Sequence, residues 1–453
     1  MGCGRMTPEN EEANVTVSTR NVEPRTNWAT RFFTIWTGQA LSLVGSQVGS
    51  FALVWWLTQA SGSATVLATA SLVAMLPSVL LGPFAGALVD RLNRRWVMII
   101  ADSFIALLSA GLAYLFWVDQ LQIWHVYIIM FARSLGGAFH WPAMQASTSL
   151  MVPKDHLARI GGMNSTLQGV LSIVTPPLGA FAMEIMPLYT IMAIDVVTAA
   201  FAIGPLIFIH IPQPERAAAD AGAAGVRPSL LGDVADGFRY IWNWKGMLLV
   251  LMLATTINMM IHPAMSLLPM LVLRKFAGGA LQLGWLNSAW GVGIIVGGLA
   301  LSAWGGFKRK VVTALLGLIG QGIGFLVVGL TPASALWLGI AGLAFAGIMN
   351  VICNGPFLAL FQDVVAPEIQ ARVFTVIGSL TGLAAPVGLA IAGPVADWLG
   401  VQAWFIIGGT LCMVWGVGMF LTPVVMDIEA HGQAAESARG RSAVPAPMPE
   451  GME

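Results

Sequence analysis

The stretch "GALVDRLNRR", Gly86–Arg95, decides how this chain is read. It packs one acid and three arginines between two apolar runs, each roughly twenty residues long or more. Charge concentrated between apolar runs of that length marks a loop joining two membrane spans. The composition agrees. Charged residues make up 10% of the 453-residue chain and hydrophobic residues 57%, where a soluble domain carries roughly 25% charge. So few polar residues cannot cover an exterior in water, so lipid must be the exterior. Acids and bases balance at 22 each, so net charge points to no partner, and no nucleic-acid partner is expected.

Working outward from the charged loop, twelve apolar runs emerge: 32–57, 66–89, 96–117, 123–149, 162–184, 188–211, 246–273, 281–304, 310–331, 334–361, 373–396 and 401–424. Each can cross a hydrocarbon core of about 30 Å as a helix. A strand barrel is excluded because the runs are continuous and do not alternate. Orientation follows from the bases. Arg91, Arg94, Arg95, Lys154, Arg159, Lys308, Arg309, Lys310 and Arg372 fall on one side, with both tails, and only Arg274 and Lys275 fall on the other. Lysine and arginine accumulate in cytoplasmic loops, so both termini are expected in the cytoplasm of a multi-pass plasma-membrane protein. Residues 1–27 have no apolar core and are not a cleaved signal peptide.

The spans divide into two sets. Residues 1–31 read as a cytoplasmic tail, 32–211 as a first six-helix bundle and 246–424 as a second. The link 212–245 opens small and polar and ends with Leu230, Val234, Phe238 and Ile241 at helical spacing. That spacing predicts an amphipathic helix at the membrane surface. Residues 425–453 read as a disordered tail. The halves also repeat. Pro142 precedes Pro153 by eleven residues with Arg159 following, and Pro356 precedes Pro367 by eleven with Arg372 following. The basic loop after run two returns after run eight. Repeated six-helix halves are a transporter architecture with the substrate site near the repeat interface. The fold class is therefore all-α: twelve transmembrane helices in two pseudo-symmetric bundles.

With these features the chain resembles a major facilitator superfamily transporter over about residues 28–425. The family signature between helices two and three matches at Gly86, Asp90, Arg91, Arg94 and Arg95, with Asn93 where the family has glycine. Asparagine is the next best residue for a left-handed turn, so that turn is expected at Asn93. The stretches "WTGQALSLVGSQVGSFAL" and "GDVADGFRYIW" are similar to the drug/proton antiporter branch that contains macrolide-efflux proteins. The helix-five antiporter signature is partly present as Thr175, Pro176 and Gly179, with two of its glycines replaced. In this superfamily helices 1, 4, 7 and 10 line the cavity. On those helices Gln39, Ser42 and Ser46, then Gly137, His140 and Met144, then Thr255, Asn258 and His262, then Asn350, Asn354 and Phe357 fall on single faces. Such polar stripes should face a water-filled cavity, although small residues also let helices approach closely.

Three charges lie inside spans. Arg133 sits about 13 Å deep in run four, where an unpaired charge costs several kcal/mol. The resemblance gives it a part in coupling or substrate handling; otherwise it caps backbone carbonyls. By the proline alignment its counterpart in the second half is Gly347. Asp102 either carries a proton or pairs internally with the nearby arginine cluster. Asp195 either couples protons or bonds Thr198 or nearby backbone. Trp36, Trp55, Trp56, Trp141 and Trp290 could contact an apolar substrate.

These features lead us to expect an exporter of a small amphipathic molecule, of multidrug or macrolide type, working as a monomer by alternating access with protons as the driving ion. Alternatives are export of a siderophore or lysolipid, or a non-transporting receptor or scaffold. No nucleotide-binding loop, metal-ligand spacing or nucleophile constellation occurs, so no cofactor, metal or enzymatic activity is expected. The charged loop is expected to gate. Gly86 would admit a close neighbour, and Asp90 would rest near Arg372 at the start of the eleventh helix.

Overall fold

The computed structural model describes residues 28–213, 238–239, 241–242, 244–365 and 367–429. Most of the amphipathic stretch expected before the second bundle lies outside them. Of its residues, Phe238 is exposed and Ile241 buried.

The first six runs form α1 (Trp28–Ser61), α2 (Ala64–Arg91), α3 (Arg94–Trp117), α4 (Ile123–Met151), α5 (Lys154–Ile185) and α6 (Leu188–Phe208). The seventh run splits into α7 (Lys245–Ser266) and α8 (Leu268–Arg274). Then follow α9 (Ala280–Trp304), α10 (Lys310–Leu330), α11 (Leu336–Val364), α12 (Pro367–Leu399), α13 (Val401–Phe420) and the short α14 (Pro423–Met426). The split in run seven has a local cause. Pro269 stands in the first turn of α8, where its missing N–H costs nothing, but it cannot donate back into α7. Among the described residues, eleven helices are long and apolar enough to cross a membrane. Beside them α4 is 29 residues long, but Arg133, His140 and Gln145 make it more polar.

The two halves use the same packing plan. In the first, α1 packs on α5 and α6, α2 on α4, and α3 on α4 and α6. In the second, α7 packs on α12 and α13, α9 on α11, and α10 on α11 and α13. Each pairing has its counterpart six spans later. The halves meet along two seams, α2 against α12 and α5 against α9, which the same relation exchanges.

Each seam is tight only at one end. Gly393 of α12 leaves no room for a Cβ, which would lie 2.8 Å from Thr65 Cα of α2. Gly284 of α9 also lies close to the Pro176–Pro177 backbone of α5, where a Cβ would come within 3.2 Å. Towards the face that carries the basic loops, the helices separate. Gly82 and Gly86 of α2, Gly161 and Gly162 of α5, and Gly378 and Gly382 of α12 meet nothing within 4 Å. The bundle is therefore closed on the face opposite the basic loops and open on the basic face.

Residues 425–429, expected in the tail, are packed instead, and 430–453 lie outside the described residues. Val425 and Ile428 are buried, and Glu429 accepts a hydrogen bond from the Val311 N–H at 3.0 Å. That satisfies an orphan donor at the start of α10 and keeps 423–429 against the second half.

Candidate functional site

The signature loop is a clamp in this conformation. Arg94 is buried at the start of α3 and reaches two elements. Its Nη1 donates to the Ala146 carbonyl of α4 at 3.0 Å, and its Nη2 pairs with Asp90 of α2 at 3.1 Å. Arg95 donates through Nε to the Leu206 carbonyl at 2.5 Å and through Nη2 to Ile207, the last carbonyls of α6, where a helix end favours a cation. Four helix ends are thereby tied together. Arg91 is exposed.

Two expectations for this loop need correction. Asn93 is not left-handed. Its φ is −74°, and its side chain caps α3 by accepting from the Arg95 and Trp96 N–H groups. Asparagine therefore stands here as an N-cap rather than as a glycine substitute. Nor does Gly86 receive a neighbour in this state, and Asp90, with two thirds of its side chain exposed, pairs within its own half. Arg372 is half-buried in α12, across the open end of the seam.

Deeper in the first half, the intramembrane charges form two separate centres. The first has its carboxylate buried, while its Ser46 and Arg133 reach the cavity wall. Asp195 of α6 is 1% exposed. Its Oδ1 accepts from Ser46 of α1 at 2.7 Å. Its Oδ2 accepts from Ser109 of α3 and from Arg133 of α4, each at 2.7 Å. Arg133 also donates to the Ser109 hydroxyl. Thr198 bonds only the Asp195 backbone carbonyl. Gly45 makes the arrangement possible: a Cβ there would lie 2.1 Å from Thr198 Oγ1. Its absence brings α1 against α6, so that Ser46 reaches the carboxylate. Four helices thus contribute to one neutralised, fully bonded carboxylate, as a charge at this depth requires.

The second centre is open. Asp102 does not pair with the arginine cluster: Arg94 and Arg95 are bound to helix ends and Asp90, and Arg91 is exposed. Its Oδ2 accepts from Gln39 Nε2 of α1 at 2.8 Å. Its Oδ1 faces His140 Nε2 of α4 at 3.2 Å. Nε2 is buried, and Asp102 is the group that faces it, at ion-pair distance. A proton on the imidazole would make this contact an ion pair; without it, the carboxylate is under-satisfied.

Asp102 and His140 line a cavity of about 310 Å³. Gln39, Ser42, Ser46, Arg133, Gly137 and Met144 line it as well, so the first-half stripes do face a cavity. Of the five tryptophans named, Trp36 and Trp141 reach it, and Trp36 is held by Asn164 Oδ1 at 2.7 Å. Sequence reasoning missed Gln145, Asn164 and Gln168, which also line it. Asn164 and Gln168 recur at i, i+4 in run five, a signal that was there to be read.

The second-half stripes are placed elsewhere. Thr255 and Asn258 donate to carbonyls of their own helix, Leu251 at 2.8 Å and Ala254 at 2.9 Å. His262 and Asn354 are exposed, Asn350 accepts from Asn354, and Phe357 packs on the second-half core. None of them lines this cavity, because the halves stand apart on the basic face. In helix five, Thr175 is buried and bonds the Leu171 carbonyl, Gly179 lies tight against the Phe51 ring of α1, and Pro176 touches Gly284 of α9. The antiporter-like motif therefore sits where α5 meets both neighbours.

A family model described as transmembrane secretion effector, of the MFS class, matches residues 26–446. The chain belongs to the major facilitator superfamily. This facilitator is 33% identical over 391 residues to macrolide efflux protein A of Streptococcus pyogenes, covering 86% of its own length and 95% of that protein. It is 27% identical over 402 residues to the multidrug efflux pump Tap of Mycolicibacterium fortuitum, covering 85% and 94%. Among solved structures, a mutant of the nucleoside transporter NupG matches with a TM-score of 0.65 at 13% identity, covering 86% of this chain and 98% of that one. That last likeness concerns the fold. The chain is thus a multi-pass efflux transporter of this superfamily.

Proposed function

We propose that this transporter exports amphipathic molecules of macrolide or multidrug type from the cytoplasm in exchange for protons. In this reading the basic face is cytoplasmic, by the bias of lysine and arginine, and the structure is the inward-open member of an alternating pair.

The observation that carries the reading is the Asp102–His140 pair in the cavity wall. Around it, Trp36, Leu43, Ile105, Trp141 and Leu167 offer apolar surface, with a few polar groups to orient a ligand, as small-molecule sites generally do. A carboxylate with spare acceptor capacity beside a histidine can hold a proton or give it up as a ligand arrives. Asp195 is unsuited to that work, because each of its oxygens is already bonded and its charge is matched by Arg133. Arg133 acts instead as a fixed counter-charge. The names of the relatives support efflux of macrolides and other drugs.

The test is purified protein in liposomes with an imposed proton gradient and a panel of macrolides, lipophilic cations and neutral amphipaths. Gradient-accelerated movement of at least one probe is expected. Movement at the same rate without the gradient would remove antiport, and no movement of any probe would remove this reading of the cavity.

A further inference from the structure

On the face opposite the basic loops, one carboxylate bridges the two halves at the α2–α12 seam. Asp397 lies in the last turn of α12, in the second half, and reaches across to the start of α2, in the first. Its Oδ1 accepts from the Ala64 N–H at 2.9 Å, and its Oδ2 from the Thr65 N–H and the Ser63 hydroxyl, each at 2.8 Å. Arg274, at the end of α8, pairs with Oδ1 at 3.0 Å and also donates to the Gly62 carbonyl at 2.5 Å. The helix N-terminus offers unpaired N–H groups and partial positive charge. Here the opposite half of the molecule supplies the anion. Gly393, one turn earlier, lets α12 come within contact of the α2 backbone.

We infer that Asp397 is a positioning residue of the transport cycle: the latch that holds the extracellular side shut while the cavity faces inward. The inference rests on the alternating-access reading above. Exposing the cavity outward requires α2 and α12 to part at this end, so the bonds from Asp397 to Ser63, Ala64 and Thr65 and from Arg274 to Gly62 must break, while the Arg274–Asp397 pair can stay within the second half. Bonds that exist in only one of two states bias the balance between them. The other end of the seam has matching parts. Asp90 stands in the last turn of α2 as Asp397 stands in the last turn of α12, so each helix of this seam carries an acid at its C-terminal end. In this state the extracellular pair is made, while Asp90 turns to Arg94.

The test uses the full chain in lipid nanodiscs, without substrate or gradient, with distances read by double electron–electron resonance. Spin labels at Gln59→Cys and Ser334→Cys report the extracellular side; labels at Asp155→Cys and Lys308→Cys report the cytoplasmic side. Cys3, Cys353 and Cys412 are replaced by serine. In Asp397→Asn we expect the population with a long extracellular distance to rise by about tenfold, a change of about 1.4 kcal/mol between states, while the cytoplasmic distance shortens in the same molecules. Asp397→Glu should restore most of the closed population. A merely structural loss would broaden both distances without this opposite movement, and that result, or unchanged distances, overturns the latch. Arg274→Gln, at an exposed side chain, should shift both distances the same way but less. If Asp397→Asn does not fold, unchanged distances in Arg274→Gln overturn the inference. Because nothing is transported in this experiment, the latch stands or falls separately from the proton-driven export.

Discussion

The two halves share one packing plan and solve opposite problems with it. The first half holds its helices together around charge: Arg133, Asp195, Asp102 and His140 lie between α1, α3, α4 and α6. The second half uses absence. On α10, Gly317 and Gly324 bring the α11 backbone so close that a Cβ at either would lie 2.4 to 2.8 Å from it or its Ala346 side chain. Gly347, the counterpart of Arg133, would meet the Trp290 carbonyl at 2.5 Å. The first half also uses such contacts, at Gly38 and Gly45 against α6, but among the described residues the buried intramembrane charges lie in it and not in the second. The repeat thus preserves the frame while the buried charges gather in one half of it.

Five single substitutions and one double variant would break or sharpen this contrast. Arg133→Ala should have the largest effect. It strands a buried carboxylate at Asp195, a loss of about 3–5 kcal/mol, which a thermal melt in detergent would show; Arg133→Met with Asp195→Leu should recover much of it. A melt unchanged in Arg133→Ala would mean the first half does not depend on its charge. Next comes Gly347→Leu, which overpacks the α9–α11 contact and should cost about 1–3 kcal/mol or more. Gly82→Ala, facing open space, should leave the melting curve where it is. If the two glycines behave alike, tight packing is not what matters at the α9–α11 contact.

Asp102→Asn should melt close to wild type and yet lose gradient-driven uptake by about tenfold in inverted vesicles, roughly 1.4 kcal/mol. A variant that pumps normally would pass the coupling role to another group. The smallest effect is expected at Asn354→Ala, whose side chain bonds only its own helix. Ligand affinity in the inward-open state should change by less than about twofold, by equilibrium binding. A larger loss would show that the second half also grips the ligand.

Much of the frame was legible because lipid imposes it. Apolar runs of span length and the side of each basic loop locate helices without knowledge of their neighbours. The break in run seven was legible too, in Pro269, but a run of unbroken hydropathy concealed it. The site was legible only as faces. Periodicity placed Gln39 and His140 on polar stripes, and they do line the cavity. It could not reveal that both reach Asp102, because those partners lie 63 and 38 positions away and the link is made by tertiary packing. The same limit explains Asp195. Its local option was Thr198, three residues on, and its actual partners come from three other helices. Asn93 failed for another reason: one residue type serves both left-handed turns and N-caps, and only the backbone decides between them.

The placement of the Arg133–Asp195 ion pair also bears on how the protein is made. Ser46, Ser109, Arg133 and Asp195 all precede residue 196, and Gln39, Asp102 and His140 do as well. A chain emerging from the ribosome can therefore neutralise every one of these buried charges while its second half is still unsynthesised. The start of α2, by contrast, waits for Asp397 across more than three hundred residues of translation. The interior of the first bundle can be finished early; the seam that joins the bundles is among the last things to close.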